Sequence, residues 1–242
     1  SHMAGFNFVT DTKKWKNNGS INFSLKDSDI RTKTASETFV SNDVSSFSNS
    51  RSAQDNKNLN LSANFRIEWN PDTTTMVLFR PRFSLGDTDN QSVSKSLTFS
   101  QDPLYSTDEL VDAQDITSLV PEENIINRII RSDLSRNNSL TYGASLLFNK
   151  RLGKPGRNFT FWGSFGYTDS QAEQFSLSET NYFQKTEEEQ LEILNRYITT
   201  PSENYNYSAR LSYSEPIFKN MFLQFSYYFQ FKRNESDNST FD

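Results

Sequence analysis

Hydrophobic and polar residues alternate without a break over residues 58–69, NLNLSANFRIEW. Leu59, Leu61, Ala63, Phe65, Ile67 and Trp69 fall on one parity; Asn58, Asn60, Ser62, Asn64, Arg66 and Glu68 fall on the other. Successive side chains of a strand point to opposite faces, so the stretch predicts a strand with one apolar and one polar face. It is about twice as long as the usual strand of about five or six residues. The pattern recurs. Val77, Phe79, Phe83 and Leu85 oppose Arg80, Arg82 and Ser84. Leu140, Tyr142, Ala144, Leu146 and Phe148 share a face, and so do Phe159, Phe161, Phe165 and Tyr167. Tyr205, Tyr207, Ala209, Leu211 and Tyr213 oppose Asn204, Asn206, Ser208, Arg210 and Ser212. Leu223, Phe225, Tyr227, Phe229 and Phe231 oppose Gln224, Ser226, Tyr228, Gln230 and Lys232. Ile21, Phe23 and Leu25 form a shorter run, and Phe6 with Phe8 hints at another. The expectation is about eight strands.

The connections alternate in length. Residues 70–74, 153–157 and 215–220 read as tight turns. All three carry Pro, and two also carry Asn or Gly beside it, residues that favour turns for backbone reasons. Residues 11–19 read as a fourth, slightly longer turn. The others are expected to be long: 41–47, 100–137 and 181–202. Across Pro71 the odd positions are apolar on both sides. Facing residues of an antiparallel pair share a face, so this loop must hold an odd number of residues, three or five. Within the long connections Ser106 and Glu109 open a capping box. Pro121 precedes Ile125, Ile126, Ile129 and Ile130 at helical spacing. Thr186 and Glu189 form a second capping box ahead of Leu191, Leu194, Tyr197 and Ile198, stopped by Pro201. These predict short loop helices.

Alternation suits a soluble sandwich as well as a membrane barrel. Three features favour the barrel. The strands are about ten residues long, enough to cross a bilayer when tilted. Tight turns alternate with long loops, as periplasmic turns alternate with outer loops in outer-membrane barrels. Aromatics lie near the tight turns: Trp69, Trp162, Tyr213 and Phe222, with Trp162 on the polar parity. Mean hydropathy is -0.73, and no stretch approaches the roughly 20 apolar residues of a membrane helix. A β-barrel hides from that average because its alternate positions are polar. The 21 Phe and 10 Tyr are many for so polar a chain, which concentrates them on one surface. Closure would also pair every strand edge, as lipid requires.

The run 64–72, NFRIEWNPD, followed by 78–84, LFRPRFS, resembles a motif of a family of large outer-membrane β-barrels related to TonB-dependent receptors. Residues 140–167 and 204–231 read like the same family. The resemblance implies an antiparallel up-and-down transmembrane β-barrel with short periplasmic turns, long outer loops and short loop helices. It implies the outer membrane of a Gram-negative bacterium and, by analogy, uptake or binding of an extracellular nutrient. The partners it implies are a plug domain and an energy-coupling protein; no plug and no energy-coupling box is seen in this sequence. Ser1-His2-Met3 looks like the remnant of a cleaved expression tag, leaving residues 4–242 as one barrel segment. With the tight turns in the periplasm, both ends would lie outside, and residues 238–242 read as a polar tail. The expectation is an internal piece of a larger barrel, bound by lipid or detergent, whose two free edges make it prone to self-association.

The expected lipid-facing residues are Leu59, Leu61, Phe65, Ile67, Phe79, Phe161, Phe165, Leu223, Phe225 and Phe229. The expected lumen-facing ones are Asn60, Asn64, Arg66, Glu68, Arg80, Arg82, Arg210 and Gln224. The arginines either attract anionic solutes, or pair with Glu68 and other lumen carboxylates, or meet a plug. Asp87-Thr88-Asp89-Asn90 resembles the start of a calcium loop but lacks its glycine and distal Glu, so it reads as an exposed acidic loop, with no metal. The acidic residues Asp102, Asp108, Glu109, Asp112, Asp115, Glu122 and Glu123 read as a solvated surface, and residues 187–189 as a helix first turn. With no Cys and His2 as the one His, thiol chemistry and a histidine base are absent. No phosphate loop or nucleophile elbow is present. The formal charge of -5 gives no sign of nucleic-acid binding. The reading is not an enzyme, with no cofactor. The alternatives are a soluble, secreted β-sandwich or lipocalin-like binding module with the apolar face as its core, and a barrel enzyme built on lumen carboxylates.

Overall fold

The computed structural model describes residues 1–41, 44–186, 190–218 and 221–241. It is all-β, one antiparallel up-and-down sheet with strands in sequence order: β1 (His2–Asp11), β2 (Trp15–Ser41), β3 (Val44–Asp72), β4 (Thr75–Phe99), β5 (Ile125–Arg151), β6 (Asn158–Tyr182), β7 (Leu191–Phe218) and β8 (Met221–Ser236). A short β9 (Ser239–Phe241) folds back onto Tyr197–Thr199 of β7. The polar tail is thus paired over these residues, and Phe241 stacks on Tyr197 with ring centroids 5.9 Å apart. Among the described residues β1 and β8 do not pair with each other, so the sheet is open.

The apolar alternation predicts about eight strands, and the sheet has eight in that order. Their length is the larger correction. β2 to β7 run 25 to 29 residues each, far beyond the expected ten. The loop expected at 41–47 is mostly strand, and the loop over 100–137 shrinks to 100–124. Of the one over 181–202, β6 takes the start as far as Tyr182 and β7 the end from Leu191. The distal halves are rich in Ser, Thr, Asn and Asp on both faces, so no alternation marks them. They hold as strands because each pairs on both sides: Ser52, for example, lies opposite Thr32 and Ser94.

The apolar runs of two expected helices are strands, although a single 3-10 turn (Glu122–Asn124) does follow Pro121. Ile125–Ile130 opens β5, with Ile129 opposite Ser96 and Thr180. Leu191–Ile198 opens β7, with Ile198 opposite Gln174. Isoleucine is β-branched and favours strands, and pairing with ready-made neighbours overrides the helical spacing. Pro201 does not end the element. It sits where the ladder to β8, which begins at Ser202–Ser236, has stopped. Thr186 lies just before the undescribed residues 187–189, so the second capping box and the acidic first turn fall outside the described residues. The first capping box forms as predicted. Ser106 caps α1 (Thr107–Asp112), its hydroxyl accepting from the Glu109 N–H and its N–H donating to the Glu109 carboxylate.

The Pro71 hairpin follows the parity rule and then departs from it. Trp69 faces Val77, centring the ladder on residue 73. A register shift then sets Asp72 opposite Thr75, leaving two turn residues. Asp87–Asn90, expected as a loop, lies within β4.

A small buried core lies at the end of the sheet away from the tight turns. Leu97, Phe99 and Ile125 meet Leu110, Val111, Ile116 and Val120 of the 100–124 connection. Lys33 reaches Asp108 at 2.5 Å, and Arg51 grips Asp112 with both nitrogens at 2.5 and 2.7 Å. Asp115 accepts from Thr117, and Asp102 from the Leu104 N–H. Much of the acidic stretch thus helps hold the loop, and nearly all of it stays exposed, as expected of a solvated surface.

Candidate functional site

The rest of the sheet has two unlike faces. Register aligns the apolar runs of neighbouring strands into one belt. Phe23 faces Leu61, Leu61 faces Leu85, and Leu85 faces Leu140. Phe148 faces Phe161, Phe161 faces Leu211, and Leu211 faces Tyr227. On β1 the even residues Phe6 and Phe8 join, opposite Ile21 and Gly19. All ten residues expected to face lipid lie on this face. It is not covered by protein: Ile67, Phe79, Leu223, Phe225 and Phe229 stay between 37% and 61% exposed.

The belt has defined borders. At the end away from the tight turns it gives way to Lys57, Asp87, Asn138, Asp169, Glu203 and Arg233 on β3 to β8 in turn. At the other end Lys150, Arg157 and Glu215 follow Phe148, Phe159 and Tyr213. Aromatics collect at both borders. Trp15 stacks on Trp69 at 5.6 Å beside the tight turns. At the far border Tyr142, Tyr167 and Tyr205 form a ladder with centroids 5.0 and 4.8 Å apart. The other expected girdle members at the turn end divide between the faces. Tyr213 is on the belt with Trp69, but Trp162 and Phe222 are on the polar face, and Phe222 packs against Gly156 of the neighbouring turn.

The borders are oblique to the ladder. Asp87 faces Leu59, two residues below Lys57; Asp169 faces Leu140, two below Asn138; Arg233 faces Tyr205, two below Glu203. Between these pairs the border holds level, Asp87 opposite Asn138 and Asp169 opposite Glu203. The upper border thus descends six residues over the five steps from β3 to β8. The lower border runs from Trp69 to Leu223 and descends four residues in the same direction.

The opposite face carries Asn60, Asn64, Arg66, Glu68, Arg80, Arg82, Arg210 and Gln224 together, as the alternation predicts. At belt height its charges are Lys16, Lys26, Arg66, Arg80, Arg82, Arg210 and Lys232 against the carboxylates of Asp11 and Glu68. A chain of formal charge -5 thus presents a cationic surface here. The arginines differ. Arg66 donates to Glu68 at 2.6 Å, and Asn70 holds the second oxygen of that carboxylate at 3.0 Å. Arg210 lies over the Tyr228 ring, 5.2 Å from its centroid, within the range of a cation–π contact. Arg80 and Arg82 have no carboxylate or hydrogen-bond partner among the described residues.

Around them the sheet departs from regularity. Pro81 sits in a central strand, where it has no N–H to give. Pairing of β3 with β4 lapses between Asn64–Arg82 and Ile67–Phe79. Across β5 and β6, Gly143 faces Gly166. A Cβ on Gly143 would come within 2.5 Å of the Phe165 carbonyl and 3.3 Å of Arg82 Nε; one on Gly166 would meet Arg82 Nη2 at 3.4 Å. The Arg82 side chain therefore lies over the glycine pair, in a notch kept open chiefly by Gly143; a Cβ on Gly166 would make only ordinary contact. A cavity of about 410 Å³ beside it is lined by Asn64, Arg80, Arg82, Trp162, Ser164 and Asn206. A second, of about 520 Å³, holds Trp162, Arg210, Gln224 and Tyr228. Sequence reading missed the roles of Pro81, Gly143 and Gly166; a proline inside an alternating run was the one available signal. Comparison with protein-family models gives no match, and comparison with curated proteins gives none either.

Proposed function

We propose that this sheet is a wall of an outer-membrane β-barrel, with its belt against lipid and its cationic face lining an aqueous passage. The observation that carries this is the oblique border. A membrane surface is flat, so strands that cross it at a tilt must meet it at staggered positions. A descent of four to six residues over five strand-to-strand steps, at about 3.4 Å per residue and 4.8 Å between strands, corresponds to a tilt of about 30–40°. Barrel strands tilt by about 35–45°. At that tilt the runs of nine to eleven residues rise roughly 22–28 Å, close to the apolar band of about 25 Å in such barrels. The two aromatic borders fit the girdles at the membrane–water interfaces. An uncovered apolar patch of this extent is out of place in water.

On this reading the tight turns are periplasmic and the long ends of the strands rise outside the cell. The resemblance to TonB-dependent receptors adds nutrient uptake or binding, with a plug and an energy-coupling protein as partners. The test is sedimentation of the purified chain with and without detergent, with circular dichroism of each sample. Aggregation in buffer and a monodisperse, β-rich species in micelles are expected. A soluble, monomeric, β-rich species in buffer would overturn the lipid contact and favour a soluble β-sandwich or lipocalin-like module.

A further inference from the structure

We infer that Arg80 and Arg82 form a binding site for a small organic anion, a carboxylate or phosphate carrying a flat apolar body that rests on Trp162. The inference names a ligand class for the polar face, and so rests on that face being open to water. Two residues apart on one strand, Arg80 and Arg82 have Cα atoms about 7 Å from each other, and both line the same cavity. Each offers a fork of N–H donors matched to a carboxylate or phosphate. Arg66 differs in that Glu68 already occupies it, so the same strand pair shows what a neutralised arginine looks like here.

Three local departures coincide at this point: a proline in a central strand, a glycine pair on facing strands, and two like charges with no counter-charge among the described residues. Each works against the sheet by itself, and such departures from local consistency collect where a site is built. Their joint effect is geometric. The glycine notch seats Arg82, and Arg80 and Pro81 lack the ladder partners on β3 that their neighbours have. The cavity of about 410 Å³ has the size of a small-molecule site. Ser164 and Asn206 add neutral hydrogen-bonding groups, and Trp162 gives an aromatic surface shared with the adjoining cavity. That also accounts for a tryptophan on the polar parity, where the belt has no use for it. The surrounding cations raise the local concentration of anions whatever their structure; the arginine pair and Trp162 would select among them.

The test is titration of the folded chain, in micelles if it needs them, with benzoate, with inorganic phosphate and with neutral benzamide. Calorimetry reads the affinity, and the ¹⁹F signals of 5-fluorotryptophan at Trp15, Trp69 and Trp162 read the location. Benzoate is expected to bind saturably and to move the Trp162 signal alone, with benzamide inert. R80Q/R82Q should weaken benzoate at least tenfold, R80K/R82K by less, and R66Q by under twofold, with circular dichroism unchanged in each. No saturable binding, equal loss in R66Q and R80Q/R82Q, or binding of benzamide would overturn the site. Binding of phosphate without benzoate would overturn the organic class and Trp162's part in it. Benzoate binding by a chain that is monomeric without detergent would sink the lipid contact and leave the anion site standing; failure of binding by a micelle-folded chain would do the reverse.

Discussion

Single residues decide how the loop over 100–124 is held. Arg51 and Asp112 join at two points, and hydrogen bonding from Arg51 holds the Asp112 carboxyl below the usual carboxylate range. The Ser106 hydroxyl, with its backbone N–H, does the same for Glu109 at the start of α1. A carboxyl with a lower pKa folded than unfolded stabilises the fold above the unfolded value, near 4, and stops doing so as pH falls through the folded value. The anchorage of α1 should therefore be complete at neutral pH and fade below about pH 4. Hydrogen exchange at Leu110 and Val111, corrected for intrinsic rate, should accelerate from pH 7 to pH 3 relative to the centre of β5. Unchanged protection would show that the apolar cluster around Phe99 holds the loop without its ion pairs.

At the scale of one strand, the two faces should answer differently to charge. Ala209 lies midway along the belt run of β7, between Tyr205 and Tyr213. An arginine at the midplane of a lipid-facing strand costs about 2–4 kcal/mol. Ala209→Arg should lower unfolding stability in micelles or vesicles by that amount, while Asn60→Lys, on the polar face, should change it by less than about 1 kcal/mol. Equal effects at the two positions would mean that the odd face of β7 is not against lipid. The strand also shows where sequence patterns fail. Leu191, Leu194, Tyr197 and Ile198 have helical spacing, yet they pair with β6 residue by residue. A helix there would have left the distal half of β6 without its neighbour, and long-range pairing outweighed the local pattern.

At the scale of the whole molecule, the sheet's outer edges are exposed. Every residue of β8 is exposed, and among the described residues its outer edge has no strand partner. Unpaired edges template association with other strands. The chain should therefore self-associate through β1 and β8, giving a concentration-dependent mass in micelles and slower amide exchange in β8 as concentration rises. A species that stays monomeric and shows fast exchange along β8 at every concentration would argue against edge pairing. The belt does not change with that outcome, because its border crosses β3 to β8, whichever strands lie beyond.

The sequence by itself determined the strands' proximal halves, their order of faces and the residues on each. Period-two alternation is a local property, and a residue's parity fixes its face once it is in a strand. Asn64, Arg66, Arg80, Arg82 and Arg210 could be grouped on one face from parity alone, and Leu59, Phe65, Phe79 and Phe225 on the other. The capping box at Ser106 was legible for the same reason, since its two hydrogen bonds span three residues. Only the tertiary structure decided what depends on register between distant segments. The distal strand halves have polar residues on both faces and become strands through their neighbours' unpaired backbone groups. The slope of the belt emerges only when Lys57, Asp87, Asn138, Asp169, Glu203 and Arg233 are set side by side. Arg66 and Arg82 look alike in sequence; one has Glu68 and the other a glycine notch supplied by β5 and β6, strands that begin more than forty residues further along the chain.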